Sequence, residues 1–385
     1  MGRFFIPVLA LFYIASQVSL EQFSIIMSVF ALTTLLLDVP TGVIADLIGK
    51  KNTLLLSGFM YIIEIFLIAF FNGFWIFLIA KIISGIGVSL GSGTDSALLF
   101  DTLKKQKRID QHKKISGSIS TVSNISMAFV FIIGAFLFSI NPKLPAILSL
   151  PLVTLGFFLT FFLEEPYKSR KKFNVKNYFK HLKEGFVYFK NSKYIQYLCF
   201  LALFVSATIS ITLSMSSAYF KEILIPVSVI GILAFVASLT TAFASKKTHS
   251  LEKFLGEHKS FLLIQMGIVV GLFLISLMIP FFGFLFYLII AFIAGFSGVL
   301  LGDYINHHIE TSHRATILSI KGMFSNIGVF ILFILVGKLT SFKGLGFSFL
   351  IFASVILIGF VLIFFYFRKH NLVFSQESAT NQPQN

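Results

Sequence analysis

The chain alternates long apolar runs with short polar or charged breaks over almost its whole length. Each run is close to the length of about 20 apolar residues that a helix needs to cross a bilayer. The pattern therefore predicts an all-α integral membrane protein with twelve transmembrane helices. The predicted spans cover residues 4–20, 22–47, 53–72, 74–100, 115–140, 144–163, 194–217, 226–245, 260–279, 281–305, 315–339 and 344–367.

Composition supports a membrane protein and excludes several other classes. Hydrophobic residues make up 56% of the 385 positions and charged residues only 12%, whereas soluble proteins carry about 25% charged residues. The spans leave no room for a sizeable soluble domain. Cys199 is the single cysteine, which excludes a disulfide framework. The eight histidines fall in loops or at helix ends without metal-site spacing, so we expect no metal and no cofactor.

The distribution of basic residues predicts the orientation. With a cytoplasmic N-terminus, 25 of the 31 Lys and Arg residues, Arg3 among them, fall on the cytoplasmic side. Cytoplasmic loops are enriched in Lys and Arg, so both termini are predicted to be cytoplasmic. The same bias explains the net charge of +15 without a nucleic-acid partner. The remaining residues are Lys143, Lys221, Lys338 and Lys343 outside, and Lys81 and Lys321 within spans.

One basic loop divides the chain. Residues 164–193 carry nine Lys and Arg residues and separate a six-helix segment, 1–163, from a second one, 194–370, which is followed by a polar tail, 371–385. Apolar residues at helical spacing in this loop predict an amphipathic helix lying on anionic lipid, with a solvated basic linker as the alternative. These residues are Phe179, Leu182, Phe186 and Phe189.

The loop after the second span carries a recognisable motif. Residues 42–51 read G-V-I-A-D-L-I-G-K-K, which resembles the G-x-x-x-D-[RK]-x-G-[RK]-[RK] signature of the major facilitator superfamily, with Leu47 in place of a basic residue. Residues 81–87 parallel the R-x-x-x-G-x-G of that family's fourth helix, and residues 314–319 parallel its R-A-T-x-L-S run. Together with the spans, the resemblance covers almost the whole chain.

This resemblance implies two pseudo-symmetric six-helix bundles and solute transport by alternating access. In the family the motif loop is a conformational latch. Gly42 allows close helix approach, Asp46 can face a helix N-terminus, and Gly49 permits a tight turn. The residues that match the latch and its charge network are Gly42, Asp46, Gly49, Lys50, Lys51, Asp101 and Arg314.

Four ionisable residues stand out within the predicted spans: Asp38, Glu64, Lys81 and Asp95. Such residues cost at least about 2.5 kcal/mol each and are functional candidates. Glu64 and Lys81 are equally far along the chain from the turn at residues 72–73, so they lie at equal depth. We expect an ion pair between them, with a purely structural pair as the alternative. Buried carboxylates can exchange protons near neutral pH.

A second set of candidates lies where the family's substrate cavity is expected. Polar and small residues of the fourth span recur at helical spacing and share one face. On the first span, Tyr13 and Gln17 could donate neutral hydrogen bonds, with simple packing as the alternative. The fourth-span set comprises Lys81, Ser84, Val88, Gly91 and Asp95.

These features predict a proton-coupled secondary transporter of a small organic solute, acting as a monomer in the bacterial plasma membrane. Efflux is favoured because the spans are apolar and aromatic with few fixed charges. An uncoupled facilitator or channel is the main alternative. An intramembrane enzyme is a remote one, because the histidines stand outside the membrane. No phosphate-binding G-x-x-x-x-G-K-[ST] motif occurs, so ATP is not the energy source within this chain.

Overall fold

The computed structural model describes residues 3–166, 186–307 and 314–368, and within these residues the secondary structure is entirely helical. Short 3₁₀ turns precede α1 and α6, and a brief helical stretch occupies residues 186–191. The helices are α1 (Leu9–Ala15), α2 (Leu20–Ile48), α3 (Lys50–Phe70), α4 (Phe74–Gly91), α5 (Thr94–Lys105), α6 (His112–Ile140), α7 (Leu144–Thr160), α8 (Lys193–Glu222), α9 (Val227–Leu255), α10 (Glu257–Ser276), α11 (Gly283–His307) and α12 (Arg314–Arg368).

Nine helical segments in the described part of the chain are long and apolar enough to cross a membrane, with α4 and α5 together forming one of them. Two shorter apolar helices are Ile6–Ala15 and Leu144–Thr160. The backbone of α12 is non-helical at Lys343 and Gly344, between the predicted spans 315–339 and 344–367. The predicted interfacial helix lies mostly in residues 167–185, and the polar tail lies in residues 369–385, both outside the described residues.

Two predicted spans differ from the observed helices. The fourth span is interrupted at residues 92–93, where Gly93 has a φ of 73°, a conformation that favours glycine. The first helix ends at Ala15, and Gln17 follows in a turn with a φ of 65°. Gln17 therefore does not continue the face of Tyr13, and Asp95 begins a new helix. Local turns at these positions shift side chains away from the regular helical spacing.

Two single-residue joints have the same geometry. Gly49 joins α2 to α3 with φ 92° and ψ 152°, and Gly256 joins α9 to α10 with φ 76° and ψ 167°. Both φ values lie in a region that a residue with a side chain adopts only under strain. The loop around Gly256 lacks the G-x-x-x-D motif, so the turn recurs in the second half of the chain without its full sequence signature.

The assembled helices have two distinguishable ends. We call the end at Gly49 the motif end, and the end at the turn of residues 72–73 the opposite end. Helices before residue 166 form the first half of the chain, and helices after residue 186 form the second half. Close approaches between the halves at the opposite end join Ser24 to Gly337, Ser28 to the carbonyl oxygen of Phe330, Leu11 to Ser217, and Phe131 and Ala135 to Gly231.

At the motif end, a stretch of α6 is not packed against other helices. Every residue from 117 to 126 of α6 is exposed. Ten consecutive helical residues cover all faces of a helix, so this stretch lacks packing on its inner face as well as on its outer face. Its side chains include hydroxyl and amide groups, such as Ser120, Thr121 and Asn124. This stretch of α6 is therefore accessible from all sides at the motif end.

Candidate functional site

Three charged side chains meet inside the first half of the chain. The Nζ atom of Lys81 lies 3.2 Å from Oε1 of Glu64, and Nη1 of Arg3 lies 2.9 Å from Oε2 of Glu64. The equal depths of Glu64 and Lys81 along α3 and α4 led us to expect their contact. The third member was not expected: Arg3 was counted among the cytoplasmic basic residues, and its guanidinium lies beside Glu64. Arg3, Glu64 and Lys81 are called the triad below.

Aromatic rings surround the cations of the triad. The guanidinium of Arg3 lies 4.4 Å from the centre of the Tyr61 ring, and the Lys81 ammonium lies 5.2 Å from that of Phe30. Such cation–π contacts are worth about 0.5–2 kcal/mol each. The rings stabilise the cations without adding a full negative charge, so the triad contains two positive groups and one negative group.

The neutral candidates of the first helix are not arranged as predicted. Tyr13 is 1% exposed, and its ring packs edge-on against Phe23 and Phe77 at centroid distances of 5.0 and 4.8 Å. Gln17 is exposed in the turn at the opposite end. Packing, the alternative interpretation, describes the surroundings of Tyr13.

The fourth-helix stripe lies mainly against α3. The Ser57 hydroxyl donates to the Gly87 carbonyl over 2.7 Å, and a Cβ atom at Gly91 would lie 3.2 Å from the Ser57 oxygen. Ser84 is 1% exposed. Small residues allow close contact between two helices, and this contact turns the face of Lys81, Ser84 and Gly91 toward α3.

The other two stripe residues are more accessible. Val88 is partly exposed, and Asp95 is exposed in the first turn of α5. The Asp95 carboxylate accepts a 2.7 Å hydrogen bond from the backbone N–H of Ser96. The prediction of one continuous stripe from Lys81 to Asp95 is therefore wrong, because the helix breaks at residues 92–93.

The motif loop is held by two acidic residues. Lys50 forms an ion pair with Asp101 of α5. Glu165 accepts hydrogen bonds from the backbone N–H groups of Lys50 and Lys51, at 2.9 and 2.7 Å. A carboxylate at a helix N-terminus is favoured by the helix dipole and by the free N–H groups. A Cβ atom at Gly49 would lie 3.0 Å from the Glu165 carboxylate, so glycine also provides room for this contact.

Glu165 was not among the predicted site residues. The sequence contains a signal, since Glu164 and Glu165 are adjacent acidic residues at the start of a strongly basic loop. These residues lie more than a hundred positions after the motif, so no local pattern predicts the contact between Glu165 and the start of α3. The side chain of Lys51 is also engaged, since its Nζ donates to the Phe161 carbonyl over 2.7 Å.

Four predicted residues have less defined surroundings. Asp46 is exposed near the end of α2 and has no ion-pair or hydrogen-bond partner among the described residues. Asp38 is exposed on α2 and likewise forms no ion pair within the described parts of the chain. Gly42 lies within α2, and Arg314 begins α12.

The contacts of a lysine at the opposite end were also not predicted from the sequence. Lys143 donates from Nζ to the carbonyls of Ile68 and Phe71, each over 2.8 Å, at the end of α3. The ammonium also lies 5.3 Å from the centre of the Phe12 ring and 5.4 Å from that of Phe77. Burial lowers the pKa of Lys143 from 10.5 to about 8. Basic groups commonly bind the last carbonyls of a helix in this way.

Comparisons with known proteins agree on the class. Residues 1–306 match the Major Facilitator Superfamily. A solved structure of a mutant of the nucleoside transporter NupG matches with a TM-score of 0.78 and 13% identity, covering 97% of this chain and 96% of that chain. A second NupG structure matches with a TM-score of 0.76 and 13% identity, covering 95% of each chain. No curated protein matches. The chain therefore belongs to the major facilitator superfamily, and it is a multi-pass membrane transporter of a small-molecule substrate rather than an enzyme.

Proposed function

We propose that the protein is a secondary active transporter that moves a small organic solute by alternating access. The observation that carries this proposal is the difference between the two ends. The halves approach each other closely at the opposite end, at Gly231 and Gly337, whereas residues 117–126 are exposed at the motif end. A transporter that is open to one side of the membrane has this asymmetry. When the open end closes and the closed end opens, a bound solute is moved across the membrane.

The proposed architecture is twelve spans in two six-helix bundles, 1–163 and 194–370. The break at Lys343 and Gly344 supports two spans within α12, because its 52-residue apolar segment Ile317–Arg368 would extend about 78 Å as one helix, more than twice a bilayer core. The repeated joints at Gly49 and Gly256 support an internal repeat. The positive-inside bias supports a cytoplasmic motif end in a bacterial plasma membrane.

The motif loop acts as a latch in this proposal. Lys50 and Glu165 hold the start of α3 against Asp101 of α5 and the end of α7. The exposed Asp46 is free to approach the N-terminus of α12, which begins at Arg314. A helix N-terminus favours a carboxylate, so this contact would stabilise the state in which the motif end is closed.

Proton coupling is proposed to use Asp38. Glu64 faces two cations, which stabilise its ionised form, and Asp95 binds the first turn of its own helix. Asp38 is exposed on α2 and forms no ion pair among the described residues. A carboxylate that is accessible and has no ion-pair partner can take up a proton in one state of the transporter and release it in the other. Efflux remains the proposed direction because of the apolar, aromatic spans.

Proteoliposomes with an imposed pH gradient test these proposals. A panel of nucleosides, organic acids, organic cations and amphipathic drugs should contain a solute that accumulates against its gradient, and Asp38→Asn should retain exchange but lose accumulation. Asp95→Asn is the matched control. A flux that is insensitive to the pH gradient would favour the uncoupled facilitator. External labelling of a cysteine introduced at position 171, in a Cys199→Ser background, would contradict the proposed orientation.

A further inference from the structure

We infer that the triad of Arg3, Glu64 and Lys81 binds an anionic group, a carboxylate or a phosphate, of the transported solute. The inference rests on the proposed transport function and adds the chemical class of the substrate. It follows from the charge of the triad, from the way its members are exposed, and from its unused hydrogen-bond donors.

The accessible side of the triad is cationic. The side chain of Glu64 is 1% exposed, whereas those of Arg3 and Lys81 are 14% and 8% exposed. The carboxylate is therefore buried behind the two cations. A molecule that reaches the triad first meets the guanidinium and the ammonium, with a net charge of one positive unit.

Asp38 and Asp95, the other two candidate carboxylates of the first half, lie too far away to neutralise this charge. Thr33 of α2 lies beside Gly85 of α4, and both helices run from the opposite end to the motif end. Asp38, five residues beyond Thr33, is therefore level with Leu90. Leu90 is nine residues from Lys81, which corresponds to about 13 Å along the helix axis. Asp95 lies still further toward the motif end.

The triad also has hydrogen-bond donors to spare. An ammonium has three N–H donors and a guanidinium has five. Within the described residues, Lys81 donates one hydrogen bond, to Glu64, and Arg3 contacts Glu64 through Nη1. Ser84 lies one turn from Lys81 on the same face, and its buried hydroxyl lies beside the Glu64 carboxylate. Carboxylate and phosphate oxygens accept charge-assisted hydrogen bonds from such donors.

The triad has one more positive group than negative groups, and an anionic group of a solute would balance this charge. An unpaired charge at membrane depth is unfavourable, and a solute anion would remove it while accepting the remaining N–H groups. A neutral solute could accept hydrogen bonds but would leave the positive charge uncompensated. The aromatic rings of Tyr61 and Phe30 beside the cations also fit the apolar part of an amphipathic acid.

Binding to matched pairs of compounds tests the inference. The purified protein is titrated with benzoate and benzyl alcohol, with adenosine monophosphate and adenosine, and with glycerol phosphate and glycerol. At least one anion should bind about tenfold more tightly than its neutral partner. Lys81→Met should remove this preference and Lys81→Arg should keep it. Lys81→Met leaves Arg3 paired with Glu64, so it should fold, and Lys221→Met at the exposed end of α8 is the control.

Three results would overturn the inference. They are equal binding of the two members of every pair, a preference for the anion that persists in folded Lys81→Met, and the absence of binding by every anion. Phosphatidylglycerol in zwitterionic micelles is titrated in parallel. Binding of this lipid alone, dependent on Lys81, would assign the site to a headgroup instead of a solute. Exchange of neutral solutes by proteoliposomes without charge preference would leave the proposed transport function intact and exclude only the anion site.

Discussion

Replacing Glu64 should destabilise the protein far more than replacing Lys81, although the two residues form one ion pair. In Lys81→Met, the Glu64 carboxylate still has Arg3 as a partner at 2.9 Å. The variant also avoids the free-energy cost of burying the Lys81 ammonium. We expect a change in the free energy of unfolding of about 1 kcal/mol or less. In Glu64→Gln, both cations remain buried without a counter-charge. Breaking a buried pair in this way costs about 3–5 kcal/mol.

The double variant distinguishes a triad from a simple pair. For a simple pair of Glu64 and Lys81, Glu64→Gln combined with Lys81→Met would restore most of the lost stability. With Arg3 present, the double variant still contains one unpaired cation, so its stability should fall between those of the two single variants. Replacing Arg3 as well should complete the recovery.

The chain provides its own probe for this measurement. Cys199 is the single cysteine and is fully buried, so a thiol-reactive dye reports thermal unfolding in detergent. Lys221→Met, which removes an exposed lysine, is the control for charge alone. Unfolding of Glu64→Gln at the parental temperature would refute the electrostatic reasoning. Equal losses in Glu64→Gln and Lys81→Met would show that Arg3 does not substitute for Lys81.

Further predictions concern the motif loop and the two ends. Glu165→Gln should slow transport with a loss of stability of about 1–3 kcal/mol, because it weakens two charge-assisted hydrogen bonds at the start of α3; parental transport rates would contradict this role. Asp46→Asn should impair transport more than folding, and an unchanged rate in the purified variant would exclude the latch. Gly231→Ala should disfavour closure of the opposite end, because the added Cβ would overlap the Phe131 carbonyl oxygen. A cysteine introduced as Ser28→Cys should then be labelled faster from that end. Between pH 8 and 10.5, Lys143 keeps its proton in the unfolded chain but has lost it in the folded protein, so the free energy of unfolding should rise with pH in this window. Unfolding curves followed by Trp75 fluorescence should show a smaller rise of this free energy in Lys143→Met.

Local properties of the sequence determined much of this molecule. Apolar runs specify helices of membrane-spanning length because every backbone group in a bilayer needs an internal partner. The glycine at position 49 specifies the turn, because its φ of 92° is strained for a residue with a side chain. The rise per residue placed Glu64 and Lys81 at the same depth, since both are counted from the turn at residues 72–73.

Tertiary structure decided which groups meet. Arg3 joins Glu64, and Glu165 binds the start of α3, across long stretches of chain that no local pattern relates. The face of Lys81, Ser84 and Gly91 turns toward α3, because small residues let those two helices pack closely. Helical spacing specifies which residues share a face, but the rotation of each helix about its axis depends on packing with its neighbours. Depth can therefore be read from the sequence, whereas the partners at that depth are set by the assembled fold.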